Sequence, residues 1–322
     1  MKISLNDDID PTLWNAHVRD RVFHRFEWKD IIQRAYGLEP HFVLAEEASN
    51  FALIPAFKVK GRLISVPFTY LAGFAGSSEA FVRRFEEELK GRGEVFEYKS
   101  LDTLSAKPDY VSSVVSVKNY DDYLLSLASN MRKQIRKSQR SPFEVQLQNH
   151  ASDFYSIFSR KMHELGTPVH SKKFFDFIFE KLGEFAIAHT VFLERKVVAS
   201  MLCLRGVDPV QGDAPTVFIM WACTLRESDA LYSNYFLYAS ALEHYSKKLG
   251  IMHFDFGTSL FNSGPFEFKQ KWNPTNYSVK LHNSKAGYYK SKKSLVLMGE
   301  AWKYLPYRAT LLLGPRIRKL LP

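Results

Sequence analysis

The sequence predicts an α+β chain of two domains, on three observations. Its 322 residues amount to about two domains at roughly 150 residues each. Stretches of helical periodicity alternate with short apolar runs bounded by glycine and proline. The programme of helix and strand that occupies the first 110 residues begins again in the second half. With 46% hydrophobic and 15% aromatic residues, the chain is too apolar to stay disordered and can bury a sizeable core.

In the first half the spacing predicts a helix over 28–36, strands near 41–47, 51–59 and 63–68, and a helix over 78–92. That last helix opens on Ser77 and Ser78 as caps, carries Glu86, Glu87 and Glu88, and stops at Gly91 and Gly93. Strands follow at 94–99 and 110–117. The second half reads as one helix over 121–140, a strand at 143–148, helices over 151–164 and 171–182, and strands at 185–194, 197–206 and 215–223. A helix over 231–249 sets Leu231, Tyr235, Tyr238, Leu242, Tyr245 and Leu249 on one stripe, and Gly250 stops it before a strand at 251–256. The expected domains are 1–112 and 113–284, with 285–322 a basic amphipathic helical segment.

The formal charge of +10 is localised: 285–322 carries +8, 130–140 carries +5, and the rest sums to −3. A general nucleic-acid binder is therefore not expected. In 121–140, Leu124, Leu127, Ala128, Met131 and Ile135 share one side of the helical wheel, and Arg132, Lys133, Arg136, Lys137 and Arg140 the other. Such a run is ordinarily a solvated face. Five cations without an acid also suit a phosphate, so Arg132, Arg136 and Lys137 are substrate-binding candidates. In the C-terminal segment Tyr288, Tyr289, Leu295, Leu297, Trp302, Tyr304, Leu305 and the leucines at 311–313 alternate with cations, as in an interfacial anchor or a packed helix pair with a wet basic face. No apolar stretch follows the early lysine as in a secretory signal, and the longest apolar run, 63–76, has 14 residues where roughly 18–20 are needed to span a bilayer. Two cysteines in strand-like stretches supply neither a disulfide framework nor a zinc site. The expected location is cytoplasmic, at or near the inner face of the membrane.

The stretch 253–272 carries the densest chemistry. Asp255 stands at a strand end before Gly257, and Lys269 follows Phe266 and Phe268, so a base and a cation could meet at one centre. The bland alternative is an Asp capping its own turn and a snorkelling lysine. Asp-Phe-Gly appears without the other kinase motifs, which excludes a kinase. His170, between two helices, is a base candidate against a packing or capping role. Trp221, Tyr235, Phe268 and Trp272 are the aromatic binding candidates. No metal site, Walker loop or dinucleotide fingerprint is present, and no tightly bound cofactor is expected. Before the 231–249 helix, where an acyl-CoA transferase of the GNAT superfamily carries a Gly-containing pyrophosphate loop, the chain has Arg226, Glu227, Ser228, Asp229 and Ala230, which disfavours ordinary CoA binding.

The runs NMRKQIRKSQRSPFEVQL, ELGTPVHSKKFF, MHFDFGTS and GPFEFKQKW resemble the FemAB family of GNAT-fold transferases, closest to its exosortase, PEP-CTERM and exopolysaccharide-associated subgroup. The likeness extends along the chain to WKYLPYRATLLLGPRIRKLLP and is most specific over 113–283. It implies two tandem GNAT-like domains with mixed sheets flanked by helices, and a C-terminal segment that packs back near the first. It also implies transfer of an aminoacyl group to an amine, with Phe268 and Lys269 at the reacting centre and the lysine steadying the oxyanion. The chain departs from the subgroup at Thr258, where Arg is common, at Gly264-Pro265 for Gly-Thr, and at Asn273 for Gly. The helical-hairpin arm of some tRNA-using members has no counterpart, which weighs against direct tRNA binding.

The resulting expectation is an acyl- or aminoacyltransferase using aminoacyl-tRNA or acyl-CoA, with a nucleotide- or polyprenyl-linked saccharide or peptide as acceptor in exopolysaccharide or peptidoglycan synthesis. Its alternatives are an acetyl-CoA-dependent GNAT N-acetyltransferase with a degenerate loop and a non-catalytic scaffold at the membrane surface.

Overall fold

The structure, a computed structural model, describes residues 1–283 and 299–321. In chain order its strands are β1 (Lys2–Leu5), β2 (Glu39–Pro40), β3 (Val43–Glu47), β4 (Asn50–Ile54), β5 (Ala56–Val59), β6 (Arg62–Ser65), β7 (Ala75–Gly76), β8 (Phe96–Thr103), β9 (Tyr110–Ser116), β10 (Phe143–Gln148), β11 (Ala186–Leu193), β12 (Lys196–Asp208), β13 (Ala214–Thr224), β14 (His253–Leu260) and β15 (Thr275–His282). The helices are α1 (Pro11–Val18), α2 (Trp28–Tyr36), α3 (Glu79–Gly91), α4 (Tyr120–Ser126), α5 (Ser129–Gln139), α6 (Ser152–Glu164), α7 (Lys172–Leu182), α8 (Ser233–Leu249) and α9 (Gly264–Gln270), followed by a C-terminal helix, Tyr307–Arg318.

Alternation along two central strands explains the layering. Leu202 and Leu204 of β12 and Phe218 of β13 face a core with Ile31 of α2, Phe154 and Phe158 of α6, and Phe174 and Phe175 of α7. Met201, Cys203, Val217 and Ile219 point the other way, onto Leu237, Leu242 and Tyr245 of α8 and Met131 and Ile135 of α5. Apolar on both faces, these strands need helices on each side. Eleven strands form one mixed sheet in the order β10-β11-β12-β13-β14-β9-β15-β8-β6-β5-β2, and β1-β3-β4-β7 form a second, covered by α3. The pairs β13–β14 and β6–β8 are parallel.

The division expected at 112/113 falls inside β9, which sits between β14 and β15 at the middle of the large sheet. The first core likewise mixes both halves, with Trp14 and Trp28 alongside Phe174 and Phe218. Three element expectations are corrected. The helix over 121–140 is two helices, parted where Leu127 and Ala128 are extended; Arg132 Nη1 closes the break by donating to the carbonyls of Leu125 and Leu127, each at 2.7 Å. The strand over 51–59 divides at Pro55, which has no N–H for a ladder, and β4 and β5 enter different sheets. The strand over 251–256 continues through Gly257 to Leu260.

In the C-terminal segment, Tyr288, Tyr289, Leu295 and Leu297 lie outside the described residues. The C-terminal helix packs on α6, with a 2.6 Å bond between the Tyr307 and Ser159 hydroxyls. Gly314 presses so close to Val169 that a Cβ there would lie 2.9 Å from its backbone nitrogen. Leu311 joins the first core while Leu312 and Leu313 are exposed. Among the described residues no helix is long and apolar enough to cross a membrane. Both cysteines are free and buried.

Candidate active site

The parallel pairing of β13 and β14 lasts three positions, Thr216–Phe218 against His253–Asp255, and then the strands part. Each bulges at the parting. Met220 is the extra residue in β13, where Leu202 faces Trp221 and Cys203 faces Ile219. In β14, Phe256 and Gly257 together oppose one residue of β9. Gly257 has φ +72°, and a Cβ there would stand 3.0 Å from the Ile219 carbonyl oxygen, so the close crossing requires glycine. Beyond it the strands enclose a cavity of about 870 Å³. Its walls are Ile219–Ala222 of β13, Phe256–Ser259 of β14, Pro265 and Lys269 of α9, Phe68–Tyr70 and Lys99 from the first half, Val279 and Leu281 of β15, and Arg318 and Leu321 at the chain's far end.

Ser263 caps α9 through Phe266 N–H, and the helix turns Lys269 into the wall. Lys269 is 7% exposed and donates from Nζ to the Gly257 carbonyl at 2.7 Å and the Thr258 carbonyl at 3.2 Å. Burial lowers its pKa to about 8, against the opposing pull of Asp255. Asp255 is wholly buried behind the cavity wall; Oδ1 accepts from Ser112 Oγ at 2.6 Å and from Gly257 N–H at 2.8 Å. Desolvation raises its pKa above the ordinary carboxylate range despite those bonds and Lys269. Asp255 thus fixes the bulge whose carbonyl fixes Lys269. The Tyr70 hydroxyl on the cavity wall and Asp255 Oδ2 approach without completing a hydrogen bond. Burial, then the Asp255 charge, holds that phenol well above its usual value.

The remaining sequence candidates scatter. Trp221 lines the cavity. Phe268 is half-buried among Tyr235, Tyr238 and Trp272, while Tyr238, not Tyr235, reaches the wall. Trp272 is fully buried in the second core. Arg136 and Lys137 are exposed on α5 and Arg132 caps the α4 break; none of the three lines the cavity. His170 is buried and accepts at Nε2 from Arg318 Nε at 3.0 Å, so the other ring nitrogen carries the proton and donates to the Tyr36 hydroxyl, 2.6 Å away. Desolvation, then the Arg318 charge, keeps the ring neutral by depressing its pKa well below the usual value. With both nitrogens engaged it has no lone pair for a base and instead positions Arg318. Asn273, standing where the resemblance expected glycine, has φ +52°, a left-handed conformation that asparagine tolerates. Sequence reasoning missed Tyr70, Lys99 and Arg318 as cavity residues. The signal available for two of them was position: a tyrosine inside the apolar run 63–76 and an inward lysine on the strand after Phe96. Among the described residues no group of three or more His, Cys, Asp or Glu side chains could hold a metal ion.

The crystal structure of FemX superposes on the chain with a TM-score of 0.62 over 86% of this chain and 95% of that one, at 11% identity. The chain has the fold of FemX. The C-terminal domain of a putative lysylphosphatidylglycerol synthetase from Agrobacterium fabrum is also similar, with a TM-score of 0.52, 13% identity, and coverage of 80% of this chain and 91% of that domain. A protein of unknown function from Bacteroides thetaiotaomicron gives 0.51 at 12% identity over 86% of this chain and 99% of its own. No protein-family model and no curated protein sequence matches the chain. The architecture is α+β, with mixed sheets flanked by helices.

Proposed function

We propose that this protein is a transferase that moves an acyl or aminoacyl group onto an amine of a phosphate-bearing cell-envelope precursor. One observation carries the reading: a buried lysine ammonium fixed on the wall of an 870 Å³ cavity where β13 and β14 part. An ammonium has three N–H donors. The Gly257 and Thr258 carbonyls take two. The third is left for a substrate oxygen, and a preorganised donor aimed at developing negative charge is usually the largest catalytic contribution.

In this reading the amine nitrogen attacks the acyl carbonyl carbon, Lys269 stabilises the oxyanion, and the donor's C–O or C–S bond breaks as the amide forms. The amine proton leaves by way of the Tyr70 hydroxyl to Asp255, whose raised pKa suits it to receive one and then to return it, by the same hydroxyl, to the leaving oxygen or sulfur. The fold of FemX and of a domain named for lysylphosphatidylglycerol synthesis supports a transferase of this class. Exposed Lys133, Arg136 and Lys137 on α5 and Arg140 just after it support a phosphate-bearing acceptor and, with exposed Leu312 and Leu313, contact with an anionic membrane surface. Glu227 and Asp229 in the turn before α8 oppose a CoA diphosphate at that helix end, which favours an aminoacyl ester over acyl-CoA as donor.

The test offers radiolabelled aminoacyl-tRNA and acetyl-CoA, separately, against a lipid and nucleotide extract of the source cells. The reading expects base-stable amide label from the ester donor, lost with Lys269→Met. No base-stable label from either donor refutes it.

A further inference from the structure

The described residues form two sheets with four edges, and three of those edges are guarded against further pairing. β2 is two residues long and ends in Pro40, β7 is two residues long, and β1 opens on the exposed cation Lys2. Short strands, proline and edge lysines are the usual devices against strand addition. β10, the outer strand of the large sheet, has none of them. Its six residues, Phe143–Gln148, pair with β11 without a bulge and include neither proline nor lysine. Glu144, Val145, Gln146 and Leu147 are all exposed, so neither face of the strand is covered there. Such an edge offers a row of backbone N–H and C=O groups to another strand.

The side chains indicate which strand fits. Phe143, Val145 and Leu147 share the face that continues Val191 of β11 towards α8, where Phe143 meets Phe236 with ring centres 5.0 Å apart. Glu144, the strand's one charge, lies with Gln146 on the other face. When two copies of β10 run antiparallel and are centred on Val145, that residue meets itself across a two-fold axis, Phe143 meets Leu147, and Glu144 meets Gln146. Apolar residues then oppose apolar ones, and the acid opposes a neutral amide. A one-residue slip would instead set Val145 against Gln146 and Glu144 against Leu147.

We infer that β10 is the contact through which two copies of this chain join, antiparallel, into one continuous sheet. The two-fold axis of such a pair is normal to the sheet, so both copies of α5, held over the Val191 side by Met131 and Ile135, lie on the same face. The dimer carries the exposed Lys133, Arg136 and Lys137 twice on one surface, which strengthens its hold on an anionic membrane. That consequence rests on the membrane-surface reading; the dimer does not.

Analytical ultracentrifugation of the full chain tests the dimer. The wild type is expected to pass from monomer to dimer at micromolar concentration, because a six-residue edge lies at the small end of stable interfaces, which bury roughly 1,200–2,000 Å². Val145→Lys and Leu147→Lys should each hold the chain at the monomer mass, with thermal melts like the wild type since both positions are exposed. On oxidation by copper–phenanthroline, Val145→Cys should form an intermolecular disulfide and Gln146→Cys should not, because only the residue on the axis meets its own copy and the native cysteines are buried. A lysine variant that melts early leaves the decision to the cysteine pair. A monomer throughout the micromolar range, or a dimer that both lysine variants retain, would overturn the interface; cross-linking through Gln146→Cys in place of Val145→Cys overturns the pairing. In sedimentation with phosphatidylglycerol vesicles, Val145→Lys should bind less than the wild type although it adds a cation. Equal or stronger binding overturns the doubled α5 surface while the mass result stands.

Discussion

Replacing Lys269 by methionine should separate catalysis from stability. The ammonium is held at a pKa of about 8 instead of 10.5, which at 1.36 kcal/mol per pH unit means that keeping it charged costs the folded protein about 3 kcal/mol at neutral pH. Methionine, of similar length and without charge, removes that cost. It also deprives the Gly257 and Thr258 carbonyls of a donor, at roughly 1–2 kcal/mol each. The two contributions nearly cancel, so the unfolding free energy at pH 7 should move by no more than about 1–2 kcal/mol. Transfer should fall about 10²–10³-fold, the usual consequence of losing one oxyanion donor. The pH signature has a definite sign. Between the folded pKa near 8 and the unfolded value near 10.5 the unfolded state binds the extra proton, so wild-type stability should rise relative to the variant across that window. The wild-type rate should show a falling limb near pH 8 that the variant's residual rate lacks. Urea titrations at pH 7 and 10 and single-turnover amide formation make the measurement. A variant that transfers within threefold of wild type while melting normally would refute the oxyanion role.

Gly257→Ala should destabilise by about 1–3 kcal/mol, because the residue must keep φ +72° with a Cβ 3.0 Å from the Ile219 oxygen, and should slow transfer by displacing the carbonyl that holds Lys269; chemical denaturation and kcat read both effects. Asp208, buried and raised to about 6 chiefly by desolvation, should lose about 3 kcal/mol of folding free energy as pH climbs from 3.8 through 6. Asp208→Asn should therefore be the more stable protein at pH 7.5 and equal to wild type below pH 4, as followed by urea midpoints. Gly314→Val would drive a side chain into the Val169 backbone and unseat the C-terminal helix. Protease cleavage within 307–318 should accelerate; an unchanged cleavage rate would show that the helix tolerates the clash.

Local chemistry made much of the fold legible. Ser78 caps α3 as its hydroxyl and the following glutamate suggested, α2 spans the predicted 28–36, and the stripe through Tyr238, Leu242 and Tyr245 does face a core. What failed depends on partners distant in sequence. The break at Leu127 and Ala128 interrupts a good helical pattern because Arg132 offers the α4 carbonyls a donor. Gly257 resembled a strand stop because a bulge and a turn both need its backbone freedom; only the crossing with Ile219 distinguishes them. The site divides along the same line. Asp255 and Lys269 stand 14 positions apart and were visible together. Lys99 and Arg318 converge only after β8 and the C-terminal helix are placed, and the charge count that included Arg318 read it as part of a wet or membrane-facing surface. His170 was noticed for its type, but its role follows from Arg318 and Tyr36, which no spacing reveals.

The position of β9 has a consequence for biosynthesis. Ser116 of β9 pairs with His253 and Lys99 of β8 pairs with Leu281, so two strands consecutive in the chain leave the ribosome well before the residues that complete their ladders. Until β14 and β15 emerge, the nascent chain carries unpaired strand edges with the apolar run around Val111, Val114 and Val115 exposed. A fragment ending before residue 253 should thus aggregate rather than fold as an independent half, and synthesis of the whole chain should depend on chaperones that shield nascent strands.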